Sequence, residues 1–208
     1  ILVYNAPKFV EVPRREIDPE QITLVHQGSP VPNRRLETII EAVGQADARY
    51  TLHLMLTGAQ DDPYLLSLKQ LADTVAPGRV FFRPPVYPTE IVRTIAQYDI
   101  GISLIPPATF TYHVALPNKL FESVVAGQPV IAGPSPAMVD VIQQFDIGWI
   151  TDDFSAAALV KTLNGLTTEQ IRAARERARA AAQILNAEVE MAKLVKLFAE
   201  LLTGAHAS

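Results

Sequence analysis

An α/β fold with a doubly wound parallel sheet is predicted by three observations. Short apolar runs recur along the chain, amphipathic segments of helical period separate them, and Gly or paired Pro closes several of the runs. Continuous rather than alternating apolar strands imply a sheet covered by helices on both faces. The first strand is Ile22–Gln27, ending at Gly28. Leu36, Ile39, Ile40 and Val43 then mark a helix over Arg34–Gly44, with Asn33 as its cap. The second strand is Thr51–Thr57, and Asp62 with Pro63 opens a helix that runs to Val75. Val80–Arg83 is a third strand stopped by Pro84 and Pro85, followed by a helix over Pro88–Gln97. Ile100–Ile105 is a fourth strand stopped by Pro106 and Pro107. A helix capped by Asn118 follows, then a strand over Val130–Ala132, a helix over Ala137–Gln144, a strand over Ile147–Ile150 and a helix from Ser155. Two helices close the chain, the first capped by Thr168. Its Arg172, Arg175, Arg177 and Arg179 read as a solvated face, or as a contact for an anionic membrane surface.

Composition narrows the function classes. The chain has 208 residues, 49% hydrophobic and 19% charged, as expected for a globular core. It has no cysteine, which excludes disulfides and thiolate metal sites and fits the cytoplasm. A net charge of −4 offers no global field for nucleic acid, so an anionic ligand must be held locally. No apolar run reaches the roughly 20 residues that span a bilayer. Ile1 opens the chain inside an apolar run, which reads as a fragment or processed chain, and no signal-peptide pattern is present.

Ligands of open parallel sheets sit beyond the carboxyl ends of the strands. Three loops there carry the candidate site. In QGSPVPNRR, Gly28 permits close backbone approach and Arg34 offers a fork of donors to phosphate; one glycine is too few for a dinucleotide fingerprint. In RPPVYP, Val86 or Tyr87 can flank a planar base. PPATFTYHVALPNK is long for a compact domain and leads to LPNKLFESVVAGQPVIAG. There, Lys119 adds charge at a helix N-terminus suited to phosphate, and Glu122 lies four residues after Asn118 on the same face. Phosphate at the cap and hydroxyls beside the carboxylate describe a nucleotide-sugar. His26 and His113 fall on the ligand edge, His53 reads as structural and His206 as tail; none has metal-ligand spacing.

HQGSPVPNRRLETIIEAV, LPNKLFESVVAGQPVIAG and QQFDIGWI, in that order, resemble the donor-binding half of retaining two-domain (GT-B) glycosyltransferases of family four. The resemblance runs from about Ile1 to Leu202. It implies a Rossmann-like domain over residues 21–166, an interdomain crossing over 1–20, which includes VYNAPKF, and packed C-terminal helices over 167–208. It implies that Arg34 meets the donor diphosphate with Gly28 shaping the loop, and that Asn118 and Lys119 hold phosphate. Glu122 would bind the ribose, and Pro85 and Val86 would lie by the base; Glu122 and Arg34 are the expected catalytic pair. The family often has a glutamate where Val114 stands and an arginine where Ser29 stands, so sugar and diphosphate contacts differ at these two positions. The expected donor is a UDP- or GDP-sugar, with no metal and no cofactor. The expected partner is an N-terminal acceptor-binding domain of the same parent, without which the fragment is inactive. The location expected is cytoplasmic or peripheral at the inner membrane face. The alternatives are a non-catalytic nucleotide-binding module and a sugar-nucleotide epimerase domain.

Overall fold

The computed structural model describes residues 1–114 and 116–204. Six parallel strands form one sheet: β1 Ile22–Gly28, β2 Tyr50–Leu56, β3 Val80–Arg83, β4 Ile100–Ser103, β5 Val130–Ala132 and β6 Gly148–Ile150. Their spatial order is β3-β2-β1-β4-β5-β6, the doubly wound order with its switch between β1 and β4. β1 pairs along its whole length with β2, from Ile22 opposite Tyr50 to Gly28 opposite Leu56, and more briefly with β4 at Leu24 and Val25.

Helices cover both faces, as the apolar strands require. Leu24, Leu52 and Leu54 face α1 (Leu36–Gln45), α2 (Pro63–Val75) and α7 (Ala156–Gly165). Val25, Met55, Val130 and Ala132 face α3 (Ile91–Ile95), α5 (Asn118–Val125), α6 (Pro136–Phe145) and α8 (Thr168–Ala182). The long loop after β4 contains a short helix, α4 (Phe110–Val114), and the chain ends in α9 (Ala187–Gly204).

Several helix starts differ from the sequence reading. Asp62 and Ser155 cap α2 and α7 as expected, accepting from Leu65 N and Ala158 N. Asn118 is not a cap: Pro117 holds that position, and Asn118 is the first helical residue. Asn33 lies inside a 3-10 turn, Pro32–Arg34, and α1 starts only after Arg35 enters the left-handed region at φ 54°. Thr167, one residue before Thr168, caps α8 through a capping box with Gln170.

Two of the four arginines in the run depart from a solvated face, while Arg172 and Arg177 keep solvent-facing side chains. Arg175 is buried and, with Arg15, pairs with the fully buried Asp99, whose other oxygen accepts from Thr23 N and Oγ1. Arg179 donates to the carbonyls of Val12 and Pro13. These contacts tie the irregular N-terminal segment to α8. Tyr4 continues the strap by stacking on Phe121 of α5 at 5.0 Å between ring centroids. Its N–H donates to the buried Glu190 of α9 at 2.9 Å.

Candidate nucleotide-sugar site

A cleft of about 290 Å3 opens at the switch point. Gly28, Ser29 and Arg34 line it from the loop after β1, and Pro85 and Val86 from the loop after β3. Asn118, Lys119 and Glu122 line it from the first turns of α5. Val114 does not line the cleft; it ends α4 and is half exposed. Tyr87, exposed beside Val86, and His113 also lie outside the lining. His53 packs between Phe81 and Tyr98, as a structural histidine should. His206 lies outside the described residues. A larger hollow of about 860 Å3 runs along residues 9–14 and α8, and none of the expected site residues lines it.

Local backbone choices build the cleft. Gly28 has φ +124°, a conformation that side chains disfavour, and a Cβ there would lie 3.1 Å from Arg34 Nη1 and 3.6 Å from Lys119 Nζ. The two basic side chains therefore converge on the space that glycine leaves open. Pro32 opens the 3-10 turn that carries Arg34 to this position. α5 sits close to the sheet because Gly101 of β4 has no side chain; a Cβ would collide with Ser123 Oγ. Leu120, Phe121, Val124 and Val125 bury one side of α5 in the core. Asn118 and Glu122, one turn apart, stand together at the cleft.

The charges are arranged for an anion. Among the described residues, no carboxylate forms an ion pair with Arg34 or Lys119. Burial first, and then the Arg34 guanidinium, push the Lys119 ammonium well below its usual range, with Glu122 opposing. Burial raises the Glu122 carboxyl, while the hydrogen bond from Gln27 and the charge of Lys119 act against the rise. Gln27 Nε2 donates to Glu122 Oε2 at 3.1 Å, and Asn118 Oδ1 accepts from Asn5 Nδ2 at 2.9 Å. Among the described residues, the other Glu122 oxygen and the Asn118 amide hydrogens have no hydrogen-bond partner. Among the described residues, no side chain caps the start of α5, so its backbone N–H groups add positive potential there.

Sequence reasoning missed several lining residues: Gln27, Met55, Thr57, Ile91 and Pro117. Gln27 carried a usable signal, as a polar side chain closing an apolar strand. Met55 and Ile91 did not, because each is one apolar residue in an apolar element. Among the described residues, no group of His, Asp and Glu is arranged to hold a metal ion.

The family model for glycosyl transferases group 1 matches residues 9–184. The chain belongs to that family. No curated protein sequence matches it. Among solved structures it is similar to WaaG, a glycosyltransferase involved in lipopolysaccharide biosynthesis, at 22% identity and TM-score 0.65, covering 90% of this chain and 48% of that one. It is similar to Anabaena Alr3699/HepE in complex with UDP-glucose at 18% identity and TM-score 0.70, covering 86% and 49%. The sucrose-phosphate synthase of Thermosynechococcus elongatus matches at 18% identity and TM-score 0.63, covering 89% and 46%. These likenesses establish the fold. The group 1 chain spans about half the length of these structures.

Proposed function

We propose that this chain is the donor-binding half of a retaining glycosyltransferase that takes a hexosyl group from a nucleotide-diphospho-sugar. One observation carries the reading: Arg34 and Lys119 converge on Gly28 at the sheet's switch point, with Glu122 lining the same cleft. Arg34, Lys119 and the start of α5 take the diphosphate and the charge that develops on it as the sugar departs, without a metal. Glu122 accepts from the ribose hydroxyls, held by Gln27. Pro85 and Val86 form the wall against the base, and Ser29 and Asn118 face the phosphate–sugar junction. The UDP-glucose complex of the similar Anabaena protein supports a UDP-sugar as the donor, with a GDP-sugar as the alternative. Retention of configuration follows from the resemblance to family four.

On this reading, residues 1–20 cross from an acceptor-binding N-terminal domain, residues 21–166 form the donor domain, and 167–208 pack on it. Met191, Val195, Phe198 and Leu202 support such a partner, because they form an exposed apolar row on α9. The fragment alone binds nucleotide and does not turn over, and the parent works in the cytoplasm or at the inner membrane face. No helix among the described residues is long and apolar enough to cross a membrane.

Calorimetric titration of UDP, GDP and UDP-sugars onto the chain tests the site. Saturable binding that Glu122→Ala weakens by at least tenfold is expected, about 1.4 kcal/mol. Binding unaffected by Glu122→Ala would remove Glu122 from the site. Val114 and Ser29, standing where the family often has a glutamate and an arginine, support a second reading, a nucleotide-binding module without transfer. Activity of the full-length parent on a UDP-sugar separates the two.

A further inference from the structure

Behind the cleft, Lys119 does not stand alone. Its Nζ lies 2.9 Å from Nε2 of His26, and His26 Nδ1 lies 2.9 Å from the carbonyl oxygen of Ile102. Both side chains are buried, His26 completely and Lys119 at 7% exposure. A carbonyl oxygen only accepts, so His26 Nδ1 carries a hydrogen and its Nε2 lone pair faces Lys119. Protonating both partners would set two N–H groups against each other, so the pair carries at most one positive charge.

The charged and titratable groups facing this pair are few. Arg34, from the turn after β1, is a permanent cation and repels a second charge. Glu122, on α5, attracts one but makes no ion pair with Lys119 among the described residues. Ile102 contributes only its carbonyl, and Met55, Pro85 and Val86 across the cleft carry no charge. A buried ammonium with no paired anion, next to a guanidinium, is unfavourable until an anion arrives.

We infer that His26 and Lys119 form a buried proton-accepting pair that is neutral without ligand and gains one proton as a nucleoside diphosphate enters beside Gly28. His26 is the positioning residue, since its Nε2 accepts an Nζ hydrogen and leaves the others pointing toward the phosphate oxygens. The proton comes from solvent, and the diphosphate meets a full ammonium that the unliganded protein need not bury. This inference rests on the nucleotide-sugar reading of the cleft. Its consequence is separate: affinity becomes linked to pH.

The test is calorimetry of UDP binding to the intact chain between about pH 7.5 and 9, above the terminal phosphate's own pKa of about 6. Running it in buffers of different ionisation enthalpy counts protons. Uptake approaching one proton per UDP is expected, with affinity falling by up to about tenfold per pH unit. Uptake should persist in Glu122→Gln and vanish in Lys119→Met. His26→Leu should weaken binding and move the pH dependence to lower pH, and His26→Gln, which keeps an acceptor, should restore part of the affinity. Should the His26 variants not fold, the proton count on the unsubstituted chain decides. UDP binding with no proton exchange across this range would overturn the pair and leave the donor-site reading standing. No binding of UDP or GDP would overturn both.

Discussion

At Gly28 the missing side chain is what leaves room in the cleft. Its φ of +124° strains any other residue, and its open side is filled by Arg34 and Lys119. Gly28→Ala should cost about 1–3 kcal/mol of stability and reduce nucleotide affinity more than tenfold. Thermal melting read beside a UDP titration separates the two effects. Lys119 makes a prediction of opposite character. Its folded-state pKa is lowered, so between that value and the unfolded value of about 10.4 the folded chain binds fewer protons, and stability rises with pH. Lys119→Met should remove this contribution and raise stability near neutral pH relative to pH 10, as denaturant titrations at both pH values would report. Glu122 and Arg34 were legible in the sequence because charged residues stand out at strand ends and among apolar neighbours. The contact between His26 and Lys119 was not, since it joins residues 93 positions apart across the β1–α5 interface.

The elements were legible where physics is local. Apolar runs, most of them bounded by Gly or Pro, placed every strand, and Val80–Arg83 and Val130–Ala132 have the bounds expected of them. Helix starts were less legible, because a polar residue near a boundary suits both cap and first turn. Pro117 takes the cap of α5, and Asn118 instead spends its side-chain oxygen on Asn5. Close packing was hidden as well: Gly101 in a strand gives no sign that α5 leans on it through Ser123. Gly101→Ala should push α5 outward, lower stability by about 1–3 kcal/mol and weaken UDP binding by moving Glu122. Ser123→Ala in the same chain should recover part of both losses, because it removes the hydroxyl that collides first. A double-mutant cycle measures the recovery.

For the whole molecule, the doubly wound order sets the cleft where β1 and β4 part, and the ends of the chain are fastened together by buried charge. Asp99→Ala should leave Arg175 buried without its partner and cost about 3–5 kcal/mol. It should also release Arg15, so limited proteolysis would cut the first residues sooner than in the unsubstituted chain. The α8 arginines illustrate why sequence alone misjudged this level. Their spacing describes a helix face, but which face is covered depends on a strap that arrives from residues more than 150 positions earlier. That strap bears on where the protein can be divided. The family match begins at Phe9, yet Tyr4 stacks on Phe121 and Asn5 holds Asn118 in front of that boundary. A chain trimmed to the match would keep every strand and lose two of the ties that seat α5. A cut made where the family match begins would therefore separate α5 from part of its own foundation.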